Sequence, residues 1–132
     1  MRDKLLLRLK EKNELKLKEL VFYLSELIPI FVNKQRRYKV SDLPDERTLR
    51  YYMKEGLIDK PTSYKGRYAI FTYRHVLQIL VIKYLQSNYL PLKKIFAVIR
   101  KSNDHDLERM LLENKEKSFL GIALDNNLPL EG

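Results

Sequence analysis

The chain has 132 residues, 45% of them hydrophobic, which is enough for a single domain with its own core. Its 26 Lys and Arg against 17 Asp and Glu leave a net charge of +9 and an isoelectric point near 9.7, a balance that favours anionic partners, nucleic acid before membrane surfaces. The absence of cysteine excludes disulfides, thiolate metal sites and thiol redox sensing, and the two histidines, His75 and His105, belong to no ligand-spaced cluster, so neither a metal nor any other cofactor is expected.

Arg2 to Asn13 is charged and helix-prone, with Leu5, Leu6, Leu7 and Leu9 on a partial stripe. It has no sustained signal-peptide core, and no stretch approaches the roughly 18 apolar residues of a membrane span, so the cytoplasm is the expected compartment. Lys16 to Ile28 is a stronger helix, because Leu17, Leu20, Val21, Leu24, Leu27 and Ile28 recur at three- and four-residue steps. Whether these are one helix or two is left open by periodicity. Pro29 should end or bend the second. Asn33 to Lys39 is a basic connector without helical period, in which Arg36 and Arg37 suit an arm that tracks phosphates. Asp45 is a plausible N-cap for a short helix that stops at Gly56. On that helix Leu49, Tyr52 and Met53 share a face, and Arg47, Arg50, Tyr51 and Lys54 fall largely elsewhere.

Leu57 to Thr72 has the turn chemistry of a hairpin in Pro61, Ser63 and Gly66, and a strand in Tyr68 to Tyr73. From Tyr73 or Arg74 to Asn88 a helix is apolar nearly all round, as expected at the centre of a small domain. His75, near its start, is expected to pack or cap. Pro91 opens another helix, Leu92 to Lys101, with Ile95, Phe96 and Ile99 inward. Ser102 to Asp104 breaks it, and a last helix from Asp106 to Lys117 carries Leu107, Met110 and Leu111. The tail from Ser118 is irregular. No repeat, phosphate-cradling glycine loop, nucleophile elbow or apolar carboxylate pair appears, so no catalytic residue is expected and the chain is not expected to be an enzyme.

Arg47 and Arg50, three residues apart, can reach phosphates or guanine edges from one side of a helix, and Thr48, Tyr51 and Tyr52 carry hydroxyls suited to base or phosphate contact. The order of the parts is more specific than the parts. Arg47-Thr-Leu-Arg-Tyr-Tyr52, Gly56-Leu57, Pro61, Gly66-Arg67-Tyr68, Phe71, Ile82-Lys-Tyr-Leu-Gln86 and Leu90-Pro-Leu-Lys-Lys-Ile95 follow one another as in the MerR family of bacterial transcription regulators, which the chain resembles over about residues 40–101.

The resemblance implies a mainly α, winged helix-turn-helix fold with a small β-hairpin wing, an extra N-terminal helix and a short C-terminal one. It divides a single domain at 1–132 into an N-terminal extension at 1–15, a DNA-binding core at 16–101, and a short helix and tail at 102–132. It implies a sequence-specific regulator of transcription, associated with the nucleoid, whose recognition helix enters the major groove. Arg47, Thr48, Arg50, Tyr51, Tyr52 and Lys54 would meet double-stranded DNA, with Lys65, Arg67 and Tyr68 on the wing and Arg36 and Arg37 on the connector. It also implies a two-fold dimer on an inverted-repeat operator, and makes RNA polymerase a candidate partner.

The chain departs from the family pattern in places. Pro29 to Pro44 separates the two helices that relatives join by a tight turn, the C-terminal helix has room for about one and a half heptads, and no thiol is available for metal or redox sensing. The leucines from Leu5 to Leu20, with Leu107, Met110 and Leu111, are expected to supply an apolar dimer seam. The alternative is a protein-interaction adaptor that keeps the fold and docks a partner on its terminal helices. Such an adaptor has no need of the wing and helix cations.

Overall fold

The computed structural model describes residues 2–32 and 43–113 of the chain. Helix α1 (Arg2–Glu11) turns Leu6 and Leu9 inward. It ends before a short strand, β1 (Leu15–Lys16), so the two leucine-rich segments are separate elements, with an unforeseen strand between them. Helix α2 (Leu17–Phe31) follows directly. Its start is fixed from the far side of its first turn, where the Lys16 N–H donates to Glu19 Oε1 at 2.8 Å, the reciprocal half of a capping box. Leu20, Leu24, Leu27, Ile28 and Phe31 give the buried stripe.

Pro29 does not end α2. The helix runs on to Phe31, and the Val32 N–H bonds to the Ile28 carbonyl. Proline removes one helical donor here, in the last turn, where Ile28, Phe31 and Val32 are all buried and hold the backbone in place.

Helix α3 (Glu46–Lys54) starts at Asp45, whose carboxylate accepts the Thr48 N–H at 2.9 Å, and its chain reverses at Gly56, where φ is +77°. The hairpin is β2 (Ser63–Lys65) and β3 (Tyr68–Phe71), antiparallel, with Lys65 opposite Tyr68. Its two-residue loop has positive φ at Gly66 (+64°) and not at Arg67, the pattern of a type II′ turn. Strand β1 adds to the other edge of β3, pairing Leu15 with Phe71, so the sheet order is β1-β3-β2.

Helix α4 (Tyr73–Ser87) is buried on every side, as its composition requires, and packs against α2, α5 (Leu92–Lys101) and α6 (Asp104–Glu113). The Leu90 N–H bonds to the Leu85 carbonyl and the Tyr89 N–H to that of Gln86, a Schellman closure with Tyr89 at the left-handed position (φ +68°). Helix α6 begins at Asp104 rather than Asp106, because Asn103 and Asp106 cap each other: each side chain accepts the other's N–H, at 2.8 and 3.1 Å.

Most of the residues expected in a dimer seam pack within the one chain, while Leu7 stays on the surface at 60% exposed. Leu6, Leu9, Leu15 and Leu20 are buried within the one chain, together with Leu107, Met110 and Leu111, whose helix packs on α4 and α1. Helix α1 folds back over α6, which brings Leu6 and Leu9 into the core. Among the described residues no helix is long and apolar enough to cross a membrane.

Candidate nucleic-acid interface

Burial sorts the residues of α3. Leu49 and Tyr52 lie in the core, and Arg47, Arg50, Tyr51 and Lys54 form an exposed stripe, since positions 47, 50, 51 and 54 recur at helical spacing. Asp45 keeps its charge well into acid, because the Thr48 N–H and hydroxyl both donate to it and hold its carboxyl below the usual range. The anion sits at the helix N-terminus, where the dipole favours it. Arg50 makes an (i, i+4) ion pair with Glu46 at 3.3 Å while its side chain stays largely exposed.

Two of the expected contact residues are engaged within the chain. Tyr52 is 4% exposed, and burial pushes its phenol up to about 12, with the Lys83 ammonium 5.6 Å from its ring centroid. It is a core residue that supports the helix rather than part of its exposed stripe. The hydroxyl of Thr48 is given to Asp45, so this side chain acts first as part of the cap. Arg36 and Arg37 lie outside the described residues.

The wing stands beside α3. Between the two runs a cleft of about 700 Å³. Arg50, Met53 and Lys54 line its α3 wall, and Tyr64, Arg67, Tyr68 and Ala69 its wing wall. Lys16, Leu17 and Lys18 close one end, and Lys60 and Pro61 come from the loop before the wing. Arg50, Lys54, Arg67, Lys16, Lys18 and Lys60 therefore border one groove, against a single lining carboxylate, Glu46. The apolar floor and cationic rim suit a phosphodiester backbone, whose anionic oxygens need cations and whose sugars need apolar contact. Tyr64 and Tyr68 are exposed on its wing side, at 65% and 54%.

Lys16, Lys18 and Lys60 were missed by sequence reasoning. The first two sit in a stretch whose leucines gave it the look of an ordinary amphipathic helix. Nothing linear says that β1 will dock on β3 and carry them to the groove.

The base of the wing is fixed by a polar network on α4. Gln78 accepts the Asp59 N–H at 2.9 Å and donates to the Asp59 carboxylate at 3.1 Å. Arg74 pairs with Asp59 (2.9 Å) and Asp104 (2.7 Å) and reaches the Ser102 carbonyl. His75 caps α4 through Thr72 and bonds to the Lys60 carbonyl, the packing and capping role expected of it. The loop 57–61 is thereby tied to the central helix.

Neither curated proteins nor solved structures give a match to the chain. Residues 45–102 match the sequence profile of the MerR HTH family regulatory protein, a span that takes in α3, the wing hairpin, α4 and α5. The exposed basic helix, the adjoining wing and the all-round buried α4 lie in that span in the expected order, and over residues 45–102 the chain is similar to the MerR HTH family of regulators.

Proposed function

We propose that the protein is a sequence-specific regulator of transcription that places α3 in the major groove and its wing on the adjacent backbone. The observation that supports this reading best is the groove itself: Arg50 and Lys54 of the exposed stripe of α3 and Arg67 of the wing border one cleft, so a single duplex surface can meet both elements. In this reading Arg47, Arg50, Tyr51 and Lys54 face bases and nearby phosphates. Arg67, Lys65 and Tyr68 hold the flanking backbone, with Lys16, Lys18 and Lys60 added from neighbouring segments. One such unit covers a short site, and specificity in a genome needs more, so the reading includes two copies on an inverted repeat.

Selection of genomic fragments by the protein gives the site on which this is tested. Arg50→Ala is expected to leave the fold intact, since the side chain is 64% exposed, and to weaken binding by on the order of 1–3 kcal/mol if Arg50 reads a base. A dissociation constant unchanged at fixed salt would remove α3 as the reader.

A further inference from the structure

The family segment begins at residue 45, yet the wing is held from outside it. The turn between α1 and α2 touches the wing repeatedly. Asn13 Oδ1 accepts the Tyr73 N–H at 3.0 Å just beyond β3, Leu15 pairs with Phe71, and the Lys16 ammonium stands 4.3 Å from the centroid of the Tyr68 ring. Each of these contacts fixes where the hairpin sits.

Glu14 does something different. Its carboxylate accepts a hydrogen bond from the ammonium of Lys65, the residue just before the wing's tip. Both side chains are well exposed, at 61% for Lys65 and 62% for Glu14. Glu14 therefore adds little to the fold, because a solvated ion pair is weak and screened by salt. Its effect falls on the other anion that Lys65 would meet. A backbone phosphate approaching this ammonium must displace the carboxylate, and the displaced carboxylate stays on the turn beside it.

We propose that Glu14 competes with DNA for Lys65, lowering the wing's grip on the phosphate backbone without altering which bases α3 reads. The inference rests on the reading that the wing contacts DNA. It makes Glu14 a competitor for Lys65 that acts only through that side chain.

The test uses the full chain and a mixed-sequence duplex, with affinity measured over a series of salt concentrations for wild type, Glu14→Gln, Lys65→Ala and the double variant. Glu14→Gln is expected to tighten binding roughly two- to fivefold at low salt, the scale of one exposed pair. It should also steepen the slope of log affinity against log salt by about 0.9, the value of one phosphate contact. In the Lys65→Ala background most of that gain should vanish. Weaker binding by Glu14→Gln would mean that the carboxylate holds Lys65 ready for DNA, and would overturn the proposal. An equal gain with and without Lys65 would overturn it too, since Glu14 would then act only as a general negative charge. Wild-type protein that retains no duplex at any salt would overturn the DNA reading first, and this inference with it.

Discussion

His75 shows how a single buried side chain can set a pH limit. The residue is 0% exposed, and its ring meets Phe71 edge-on at 5.0 Å. Nδ1 accepts the Thr72 N–H at 3.0 Å, so the ring proton sits on Nε2, facing the Lys60 carbonyl at 2.9 Å. A second proton would put N–H against N–H and break the cap of α4. Burial lowers the imidazole's pKa, and the Lys60 carbonyl and Asp59 only partly offset it. In the unfolded chain the same ring titrates near 6.5. Stability should therefore be complete above about pH 6.5 and decline below it, as the unfolded chain takes up a proton that the folded one refuses, by at most about 1.4 kcal/mol per pH unit. Asp59 acts in the same direction further into acid. Burial alone would raise it, but Gln78 and Arg74 bring it net below its ordinary value, so its contribution is lost as pH falls through that lowered value. Urea unfolding across this range checks the His75 part against His75→Asn, which keeps an acceptor for Thr72 but does not titrate. The variant's profile should be flatter just below pH 6.5, and an identical profile would place the titration elsewhere. His75 as a capping or packing residue was legible from its place at a helix start, whereas its bond to Lys60, across the loop 57–61, was not. Tyr52 teaches the converse. Its neighbour Tyr51 is half exposed, and the helical period alone separates the two.

Among the elements, the long apolar helices, the short α3 and the hairpin were legible, and the two-residue β1 was not. Helix α4 is apolar over so many consecutive positions that no other placement would shield it, and α5 between Pro91 and Ser102 has its ends marked by residue type. Strand β1 has two residues, too few to show any period, and exists because β3 offers it an edge. Pro29 misled for a related reason. A proline's penalty is local, and the burial that outweighs it comes from tertiary contacts. That gives α2 a simple test. Pro29 is exposed, so Pro29→Ala restores a helical donor at little packing cost. An interior proline costs about 3 kcal/mol. In the last turn part of that is already avoided, and a gain of roughly 1–2 kcal/mol in unfolding free energy is expected. A loss would show that Pro29 is needed to direct the chain leaving α2.

At the scale of the whole molecule, the placement of α1 decides how the apolar residues are used. The sequence shows the surplus of leucines plainly, but two arrangements consume them equally well, a seam between copies or a thicker core in one. Only the fold-back of α1 onto α6 separates these, and it joins the two ends of the described chain, as in Lys10 to Glu108 at 3.8 Å, with the Glu108 carboxylate also accepting from the Tyr73 hydroxyl of α4. These polar contacts gather where α1, α4 and α6 meet. Burial, together with that carboxylate, raises the Tyr73 phenol far above its ordinary value, so that hydroxyl remains a donor. Leu107 is the discriminating position. It is 0% exposed inside the single chain. Leu107→Ala should cost about 2–5 kcal/mol, the range for a buried leucine whose site cannot fully collapse. Because the lost contacts lie within one chain, that loss should be the same at every protein concentration. A leucine in a seam between copies would behave otherwise, since its truncation would shift an association equilibrium and the midpoint of unfolding would move with concentration. Denaturation of wild type and Leu107→Ala at widely spaced concentrations, with sedimentation of both, separates the two arrangements. A concentration-dependent loss would return Leu107 to an interface. A constant one leaves any pairing on an inverted repeat to surfaces other than these leucines.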